Sequence, residues 1–209
     1  SSLEVTSSFT VEAWVKVDNF SVNSNNFPPY EDAIMSKVVN GDHYGGFELK
    51  CYTGGTILFN GNIGNSNFGV ICNVNNNNWN HIACTYDGSL VRMYLNSIYV
   101  DSMHASGSLQ TSTLPLRFGK RAGAGSYNCY FDGKLDEARI WNIALSHQEI
   151  QNFMNCNPTG SEAGLVGYWN FEEGLGSTQV IDQTSNGNDG TINGATYDTN
   201  VPTQSCNLI

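Results

Sequence analysis

Three basic residues in the middle of the chain are the side chains whose types and spacing best suit the binding of an anion. The chain has only nine Lys and Arg residues, yet Arg117, Lys120 and Arg121 lie in one short stretch beside Tyr127. Guanidinium and ammonium groups make charge-assisted hydrogen bonds to sulfate and carboxylate groups, and a tyrosine ring can stack on the C–H face of a sugar. The grouping is therefore suited to a sulfate or uronate group of an acidic saccharide, while simple exposure to solvent is the alternative for each charge.

Two surfaces compete as the place where such a saccharide would bind. The first is an outer sheet face that carries Lys50, Tyr52, His81, Arg92, Tyr94 and Arg117. The second is a rim of loops that carries Tyr30, Asp42, His43, Tyr44, Lys120, Arg121, Tyr127 and Tyr130. We favour the rim because variable binding residues usually lie on loops above a rigid scaffold. The predicted carbohydrate-binding residues are therefore the rim residues other than Asp42, together with Arg117.

The elements that would position these side chains are β-strands. Strand-like runs are separated from end to end by turn-forming pairs, at Gly54-Gly55, Asn60-Gly61, Asp87-Gly88, Asp132-Gly133 and Asn193-Gly194. Such spacing favours a sandwich of two sheets. Alternation along each strand sorts the side chains by face. It predicts two inward-facing apolar sets, namely Phe47, Leu49 and Cys51, and Val91, Met93 and Leu95.

One short helix interrupts the strand pattern. Ser146 and Glu149 form the pattern of a capping box, in which each side chain satisfies a backbone N–H group at the start of a helix. Leu145 and Ile150 occupy the flanking apolar positions. Residues 146–155 are the only stretch for which the sequence predicts a helix.

The turn, strand and helix at residues 132–150 resemble the end of a laminin-G-like or pentraxin-like jelly roll of the concanavalin A-like lectin superfamily, where an Asp-Glu-x-Arg-Ile-Trp-Asn strand leads into one short helix. Three further stretches agree, namely Ser-Phe-Thr-Val-Glu-Ala-Trp-Val-Lys at 8–16, the hairpin at 79–96, and Gly-Tyr-Trp-Asn-Phe-Glu-Glu-Gly at 167–174. The resemblance implies an all-β fold, a two-sheet antiparallel jelly-roll sandwich with one short helix near residues 146–155. It also implies that residues 1–209 form a single domain, to which residues 164–197 return as closing strands.

Members of that family usually begin with a Phe-Asp-Gly strand just upstream of the point where this chain starts. The resemblance therefore implies a module excised from a larger secreted protein. It further implies a non-catalytic carbohydrate-binding module that holds an attached catalytic domain on a polysaccharide or oligosaccharide. A protein-binding adhesion domain is the alternative, and a glycoside hydrolase or lyase is the third candidate, because a fold does not determine one function.

Sequence patterns of catalysis are missing. A retaining glycosidase needs two carboxyl groups about 5–5.5 Å apart, which positions i and i+2 of one strand could supply. In the pairs Asp136-Glu137 and Glu172-Glu173 the acids are instead adjacent, so that they point to opposite faces of a strand. No HExxH or Gly-x-Ser-x-Gly pattern occurs either. We therefore predict that the chain is not an enzyme.

The acidic composition limits the classes of partner. The net charge of −10 disfavours nucleic acid and anionic membranes, which attract proteins through Lys and Arg. No apolar run approaches the roughly 20 residues of a membrane-spanning helix. Charged residues are 13% of the chain against about 25% in an average domain, which is typical of a secreted β-protein.

Six cysteines suggest disulfides formed in an oxidising, extracellular compartment. Six cysteines permit about fifteen pairings, and buried free thiols are the alternative to any of them. The pairs that we predict are Cys51 with Cys72, Cys156 with Cys206, and Cys84 with Cys129.

The resemblance also implies a structural calcium ion, since jelly-roll relatives often carry one and calcium takes oxygen ligands. The acidic residues predicted to surround it are Asp136, Glu172, Glu173, Asp182 and Asp189. A pentraxin-type site, in which calcium bridges protein and ligand, is not expected, because residues 121–128 contain no acid.

The four tryptophans fall in strands that the family shares. Aromatic side chains in such strands usually pack in the core. We therefore predict a core position for Trp14, Trp79, Trp141 and Trp169.

Overall fold

Strand pairing arranges the chain in two antiparallel sheets. The computed structural model describes residues 2–20, 32–38, 45–122 and 130–206. In chain order the strands are β1 (Phe9–Val17), β2 (Asp32–Ser36), β3 (Phe47–Cys51), β4 (Thr56–Ile63), β5 (Ser66–Asn73), β6 (Trp79–Tyr86), β7 (Leu90–Leu95), β8 (Ile98–His104), β9 (Arg117–Phe118), β10 (Gly133–Trp141), β11 (Leu165–Trp169), β12 (Gln179–Val180) and β13 (Gly190–Thr191). One sheet has six strands in the order β11-β10-β1-β6-β7-β8, another has five in the order β5-β4-β3-β2-β9, and β12 pairs with β13. The predicted jelly-roll sandwich is confirmed.

Side-chain alternation directs one face of each large sheet into a shared apolar core. Phe9 of β1 joins the two sheets, since its ring centroid lies 5.6 Å from that of Tyr86 and 6.2 Å from that of Phe59. Full burial of each such side chain contributes about 1.5–3 kcal/mol to stability. The predicted inward positions of β3 and β7 are confirmed as core residues for Phe47, Leu49, Cys51, Val91 and Met93.

The predicted helix is α1 (His147–Asn155). Its start is a capping box, because the Ser146 hydroxyl accepts a hydrogen bond from the Glu149 backbone N–H and the Glu149 carboxylate accepts one from the Ser146 backbone N–H. The flanking side chains of Leu145 and Ile150 are buried. The apolar face of α1 packs on the outer side of the six-stranded sheet, where the Phe153 ring lies 4.7 Å from that of Trp141.

The segment after α1 adds a strand to the six-stranded sheet. β11 pairs antiparallel with β10, so that Ala138 lies opposite Trp169 and Ile140 opposite Gly167. The Trp169 indole donates to the backbone carbonyl of Asn188 at 3.0 Å, which fixes the following loop. Within the described ranges, no helix combines the length and apolar character needed to cross a membrane.

The predicted disulfides meet different outcomes. Cys156 and Cys206 are joined, as predicted. The pairing of Cys51 with Cys72 is wrong, because β4 lies between their strands and both thiols are free and buried; strands two positions apart are separated by about 9–10 Å, beyond the reach of a disulfide. Cys84 is also a buried free thiol, and its predicted partner Cys129 lies outside the described residues.

Candidate functional site

The outer face of the six-stranded sheet is closed where α1 covers it. His81 and Tyr94, predicted for an exposed outer face, are only 0% and 8% exposed. Tyr94 belongs to an apolar cluster with Trp141 and Ile150, and its ring stacks on that of His147 at 6.2 Å. This part of the sheet is therefore a buried layer rather than a binding surface.

Beneath α1 lies a buried ionic cluster centred on Arg139. The guanidinium Nη2 lies 2.7 Å from Glu137 Oε2, and Nη1 lies 3.4 Å from Glu12 Oε1. The same group donates to the Phe153 carbonyl at 2.8 Å and to Asn157 Oδ1 at 2.9 Å. One arginine thus ties together β1, β10 and the C-terminal end of α1.

The charged groups of this cluster shift one another's pKa values. Burial raises the pKa of Glu12, but contact with His81 and the charge of Arg139 outweigh it, so that the pKa lies below its ordinary value. Burial lowers the pKa of Arg139, but Glu12 and Glu137 outweigh it and raise the pKa. Burial and the Glu137 carboxylate raise the pKa of Tyr168, whose hydroxyl donates to Glu137 at 2.7 Å. We assign this enclosed cluster a structural role.

Asp182, a predicted calcium ligand, uses its oxygens to organise a loop. It is 5% exposed and accepts hydrogen bonds from the backbone N–H groups of Tyr168, Thr184 and Asn188 and from the side chains of the latter two. Asp189 accepts from the Asp182 backbone N–H at 2.9 Å. Oxygens that already accept several hydrogen bonds have little capacity left for a cation, so hydrogen bonds hold this loop.

The other predicted calcium ligands lie in different surroundings. Glu173 accepts a hydrogen bond from the Tyr197 hydroxyl. Asp136 is buried, and burial together with Glu137 and Glu172 raises its pKa to about 7. In the described ranges, no group of three or more His, Cys, Asp or Glu side chains is arranged to hold a metal ion. The five residues thus do not fit one site, and calcium stays a prediction, with Asp136 and Glu172 as the pair whose repulsion a cation would relieve.

The outer face of the five-stranded sheet carries a group of basic side chains. Glu48 and Lys50 are two residues apart on β3 and so point to the same face. Ser36 of β2 lies opposite Glu48, and Arg117 of β9 lies opposite Ser36, which places all four on this face. After β9 the chain continues through Gly119 to two further basic residues, Lys120 and Arg121. We call the resulting group the cationic face, consisting of Lys50, Arg117, Lys120, Arg121 and Tyr130.

Glu48 is the buried acid of the cationic face. Its Oε2 lies 3.4 Å from Lys50 Nζ and 3.1 Å from Arg121 Nη2, and the three side chains are 0%, 2% and 4% exposed. Ion pairs removed from water interact more strongly than exposed ones. The structure thus places Arg121, predicted for an exposed loop, in a buried ion pair on this face.

Lys120 and Tyr130 form the accessible part of the cationic face, with Arg117. Lys120 Nζ donates to the Tyr130 hydroxyl at 3.1 Å and lies 4.7 Å from the centre of its ring. Tyr130 is 53% exposed, and Arg117 is exposed on β9. A flat ring in contact with one accessible cation, with a second cation on the same sheet face, can stack on a sugar while the cations bind an anionic substituent.

The predicted outer-face surface is divided between the two sheets. Lys50, Tyr52 and Arg117 belong to the side of the five-stranded sheet, whereas His81, Arg92 and Tyr94 lie on the six-stranded sheet. The prediction of one continuous surface was wrong, because alternation tells which way a side chain points but not to which sheet its strand belongs.

The predicted carbohydrate-binding residues fall into two groups. Arg117, Lys120, Arg121 and Tyr130 come together on the cationic face. The remaining rim residues lie outside the described residues, namely Tyr30, Asp42, His43, Tyr44 and Tyr127. Their part in binding stays a prediction.

Two of the four tryptophans depart from the predicted core. Trp141 and Trp169 are 1% and 2% exposed, as predicted. Trp14 and Trp79 are only half-buried and point to the outer face of the six-stranded sheet, because they lie opposite His81 and Lys16 in the strand register.

Sequence reasoning missed Glu48 and the Arg139 cluster. An acid two positions before a lysine on a predicted strand is a signal that could have found the contact of Glu48 with Lys50, since the two share a face. No local sequence pattern predicts the contact between Glu12 and Arg139, because they are 127 residues apart in the chain.

Comparison with known proteins relates this geometry to a family. A family model described as the concanavalin A-like lectin/glucanases superfamily matches residues 1–151. Among curated proteins, no sequence matches the chain significantly.

Solved structures with similar folds come from several organisms. A Bacteroides ovatus protein to which carbohydrate binding is ascribed aligns with a TM-score of 0.72 and 22% identity, over 96% of this chain and 56% of that one; the chain thus spans about half its length. A heptameric SAP-like pentraxin from Limulus polyphemus aligns with a TM-score of 0.53 and 17% identity, over 78% of this chain and 77% of that one. CBM40 of the Ruminococcus gnavus IT-sialidase, solved with α2,3-sialyllactose, aligns with a TM-score of 0.51 and 13% identity, over 70% of this chain and 82% of that one. From the family match and the sandwich architecture, the chain belongs to the concanavalin A-like lectin/glucanase superfamily.

Proposed function

We propose that the chain is a non-catalytic carbohydrate-binding module that binds a sulfated or uronate-bearing polysaccharide through the cationic face. The observation that carries this proposal is the exposed ring of Tyr130 against Lys120, on the sheet face that also carries Arg117. The carbohydrate-binding descriptions of the Bacteroides ovatus and Ruminococcus gnavus structures support it. In this proposal the module is secreted and holds an attached enzyme on its substrate, and the disulfide supports an oxidising compartment.

The distribution of charge favours an anionic ligand at this face. Two of the nine basic residues of the chain, Arg117 and Lys120, belong to the accessible part of the cationic face. The other seven each have an acid within 4.0 Å: Lys50 and Arg121 share the buried Glu48, and the remaining five have partners such as Asp87 for Arg92. In the part of the chain that the structure describes, no carboxylate forms an ion pair with Arg117 or Lys120. A protein of net charge −10 thus presents a local positive surface to which an acidic polymer can bind.

Affinity electrophoresis tests the proposal directly. The protein is run in gels that contain neutral, uronate-bearing or sulfated polysaccharides, with calcium and with a chelator. We expect selective retardation by an acidic polymer, which weakens as salt is added because exposed charges are screened. The chelator arm shows whether calcium contributes to binding, and an assay for released reducing ends on the same polymers tests the enzyme alternative.

Variants that each remove one positive charge locate the binding surface. Arg117→Gln and Lys120→Gln should each weaken retardation by the acidic polymer about tenfold, the effect of losing one charge-assisted hydrogen bond. Arg92→Gln removes the same charge from the other sheet and should leave retardation unchanged. Equal effects of Arg117→Gln and Arg92→Gln would refute the cationic face as the site and leave only a dependence on net charge.

Protein adhesion is the second candidate, and exposed apolar side chains on an edge strand favour it. β8 is the last strand of its sheet, and Ile98, Tyr99, Val100 and Met103 on it are 67%, 53%, 40% and 40% exposed. Clusters of exposed apolar side chains often mark protein contacts. Failure of every polysaccharide to retard the wild type would favour this candidate over the binding module.

A further inference from the structure

Residues 198–206 form a strap that contacts the outer face of the six-stranded sheet. At its start, the Asp198 carboxylate pairs with the Lys134 ammonium group at the beginning of β10. Two residues later, Asn200 Oδ1 accepts a hydrogen bond from the indole N–H of Trp79 on β6, at 2.9 Å. The strap is therefore held by side chains of two strands at this end of the sheet.

The other end of the strap is locked beside α1. Gln204 Nε2 donates to the Met154 carbonyl at 3.1 Å and to Asn157 Oδ1 at 2.8 Å. Cys206 is joined to Cys156, the C-cap residue of α1, by the disulfide. Both ends of the strap are therefore fixed, one at the start of β10 and on β6, and the other beside Asn157, which contacts Glu137 and Arg139 farther along β10.

An aromatic surface lies beside the first contacts of the strap. Lys16 of β1 is opposite both Trp79 on β6 and Lys134 on β10, and Trp14 is opposite His81. All of them therefore share the outer face, with the two tryptophans as diagonal neighbours on adjacent strands. The indole N–H of Trp14 is buried and makes no hydrogen bond within the described part of the chain. We call Trp14, Lys16, Trp79 and Lys134 the tryptophan face.

The contacts of the strap show which ligand chemistry this face can take. Asp198 presents a carboxylate to Lys134, and Asn200 presents an oxygen to the Trp79 indole. A uronate residue of a polysaccharide offers the same two groups, a carboxylate and hydroxyl oxygens, and its ring can stack on an indole. The strap thus contacts the Lys134 ammonium group and the Trp79 indole N–H with the same kinds of group that an acidic sugar would use.

We propose that the tryptophan face is a second binding surface for uronate-bearing saccharides, and that residues 198–206 occupy it as an internal competitor that the Cys156–Cys206 disulfide keeps in place. This surface lies on the opposite sheet from the cationic face and does not depend on it. The competition is strong because a tethered segment acts at an effective concentration of about millimolar. A saccharide that binds weakly cannot displace it while both ends are fixed.

Opening the strap in the full chain tests the proposal. Asp198→Ala with Asn200→Ala removes the two groups that imitate a ligand, and Cys156→Ser with Cys206→Ser removes the lock. The probes are polygalacturonate and a neutral polymer of similar length. We expect the Asp198/Asn200 variant to bind polygalacturonate about tenfold more tightly than the wild type, as release of one charge-assisted contact allows, with no change toward the neutral polymer.

Two controls separate this surface from the cationic face and from misfolding. The gain should persist when Lys120→Gln is added, which impairs only the cationic face, and should vanish when Lys134→Gln is added. Acrylamide quenching of tryptophan fluorescence reports opening, since Trp141 and Trp169 are buried and only the tryptophan face can become more accessible. The milder Asp198→Asn should give a smaller gain without loss of fold.

Each remaining result counts against the proposal. Increased quenching without tighter binding of polygalacturonate would show that the exposed face has no affinity for uronates. Unchanged quenching in both double variants would show that these contacts do not hold the strap. A gain that is lost with Lys120→Gln would assign the binding to the cationic face instead, and would leave the proposed function intact.

Discussion

Replacing Arg139 by Met should destabilise the protein far more than any comparable change at the surface. The side chain is fully buried and contacts Glu12 at 3.4 Å and Glu137 at 2.7 Å. Methionine fills a similar volume but leaves two carboxylates enclosed without their cation. Removing one partner from a buried ion pair costs about 3–5 kcal/mol, and a protein of this size loses about 2–4 °C of melting temperature per kcal/mol. We therefore expect the melting temperature to fall by about 6–20 °C.

The pH dependence of the same variant gives a second, independent readout. In the wild type the pKa of Glu12 lies below its ordinary value of 4.5, so its contribution to stability is present above pH 4.5 and is lost as the pH falls through the folded-state pKa. In Arg139→Met, burial remains while the attraction of the cation is gone, so the pKa of Glu12 should rise above 4.5. The folded variant then binds more protons than the unfolded chain. The difference in unfolding free energy between the wild type and the variant should therefore shrink as the pH falls from 7 toward 5.

Urea unfolding at pH 7 and at pH 5 measures both effects. Arg92→Met is the matched control, because Arg92 pairs with Asp87 while both side chains remain about one-third exposed, and such surface pairs contribute about 0–1 kcal/mol. A loss for Arg139→Met no larger than that of the control would refute the assignment of Arg139 as the centre of a buried cluster. A loss of unfolding free energy that is the same at both pH values would refute the expected rise in the pKa of Glu12.

Three further predictions concern the disulfide, the helix start and one buried acid. Cys156→Ser with Cys206→Ser should lower the free energy of unfolding by about 4 kcal/mol, since the bridge spans 50 residues; an unchanged urea midpoint would contradict this. Ser146→Ala and Glu149→Ala should each cost about 1 kcal/mol, and the double variant should cost less than their sum because they form one capping box; strict additivity would argue against a shared cap. Asp136→Asn should stabilise the protein by about 4 kcal/mol at pH 8 and not at pH 3, because the folded-state pKa of about 7 exceeds the ordinary 3.8, so that stability is lost as the pH rises between them. Calcium should raise the melting temperature of the wild type more than that of Asp136→Asn, and no response to calcium in the wild type would reject the predicted ion.

Local patterns predicted the elements of this protein well where the determining contacts are close in sequence. The capping box at Ser146 and Glu149 involves residues three positions apart, and the structure has both of its hydrogen bonds. The inward positions of β3 and β7 follow from alternation alone. Cys51 and Cys72 failed for the opposite reason, since their separation depends on the insertion of β4 between their strands.

The candidate site shows the same division. The basic stretch from Arg117 to Arg121 was visible in the sequence, but its three charges do not act alike. Arg121 is buried against Glu48, 73 positions earlier in the chain, while Lys120 contacts the exposed Tyr130. The direction of a side chain beyond the end of a strand depends on which side chains of neighbouring strands it can contact. The local spacing of residues does not encode those contacts.

What the sequence by itself determined is the set of strands, their inward faces, the single capped helix and the family, because each depends on periodicity or on motifs within a few residues. Only the tertiary structure decided which outward-facing residues share a surface. It divided the outer side chains between two sheets, buried His81 and Tyr94, brought Lys50 and Arg121 to Glu48 and joined Asn200 to Trp79. The physical reason is that these contacts join positions far apart in the chain, so strand order and packing determine them.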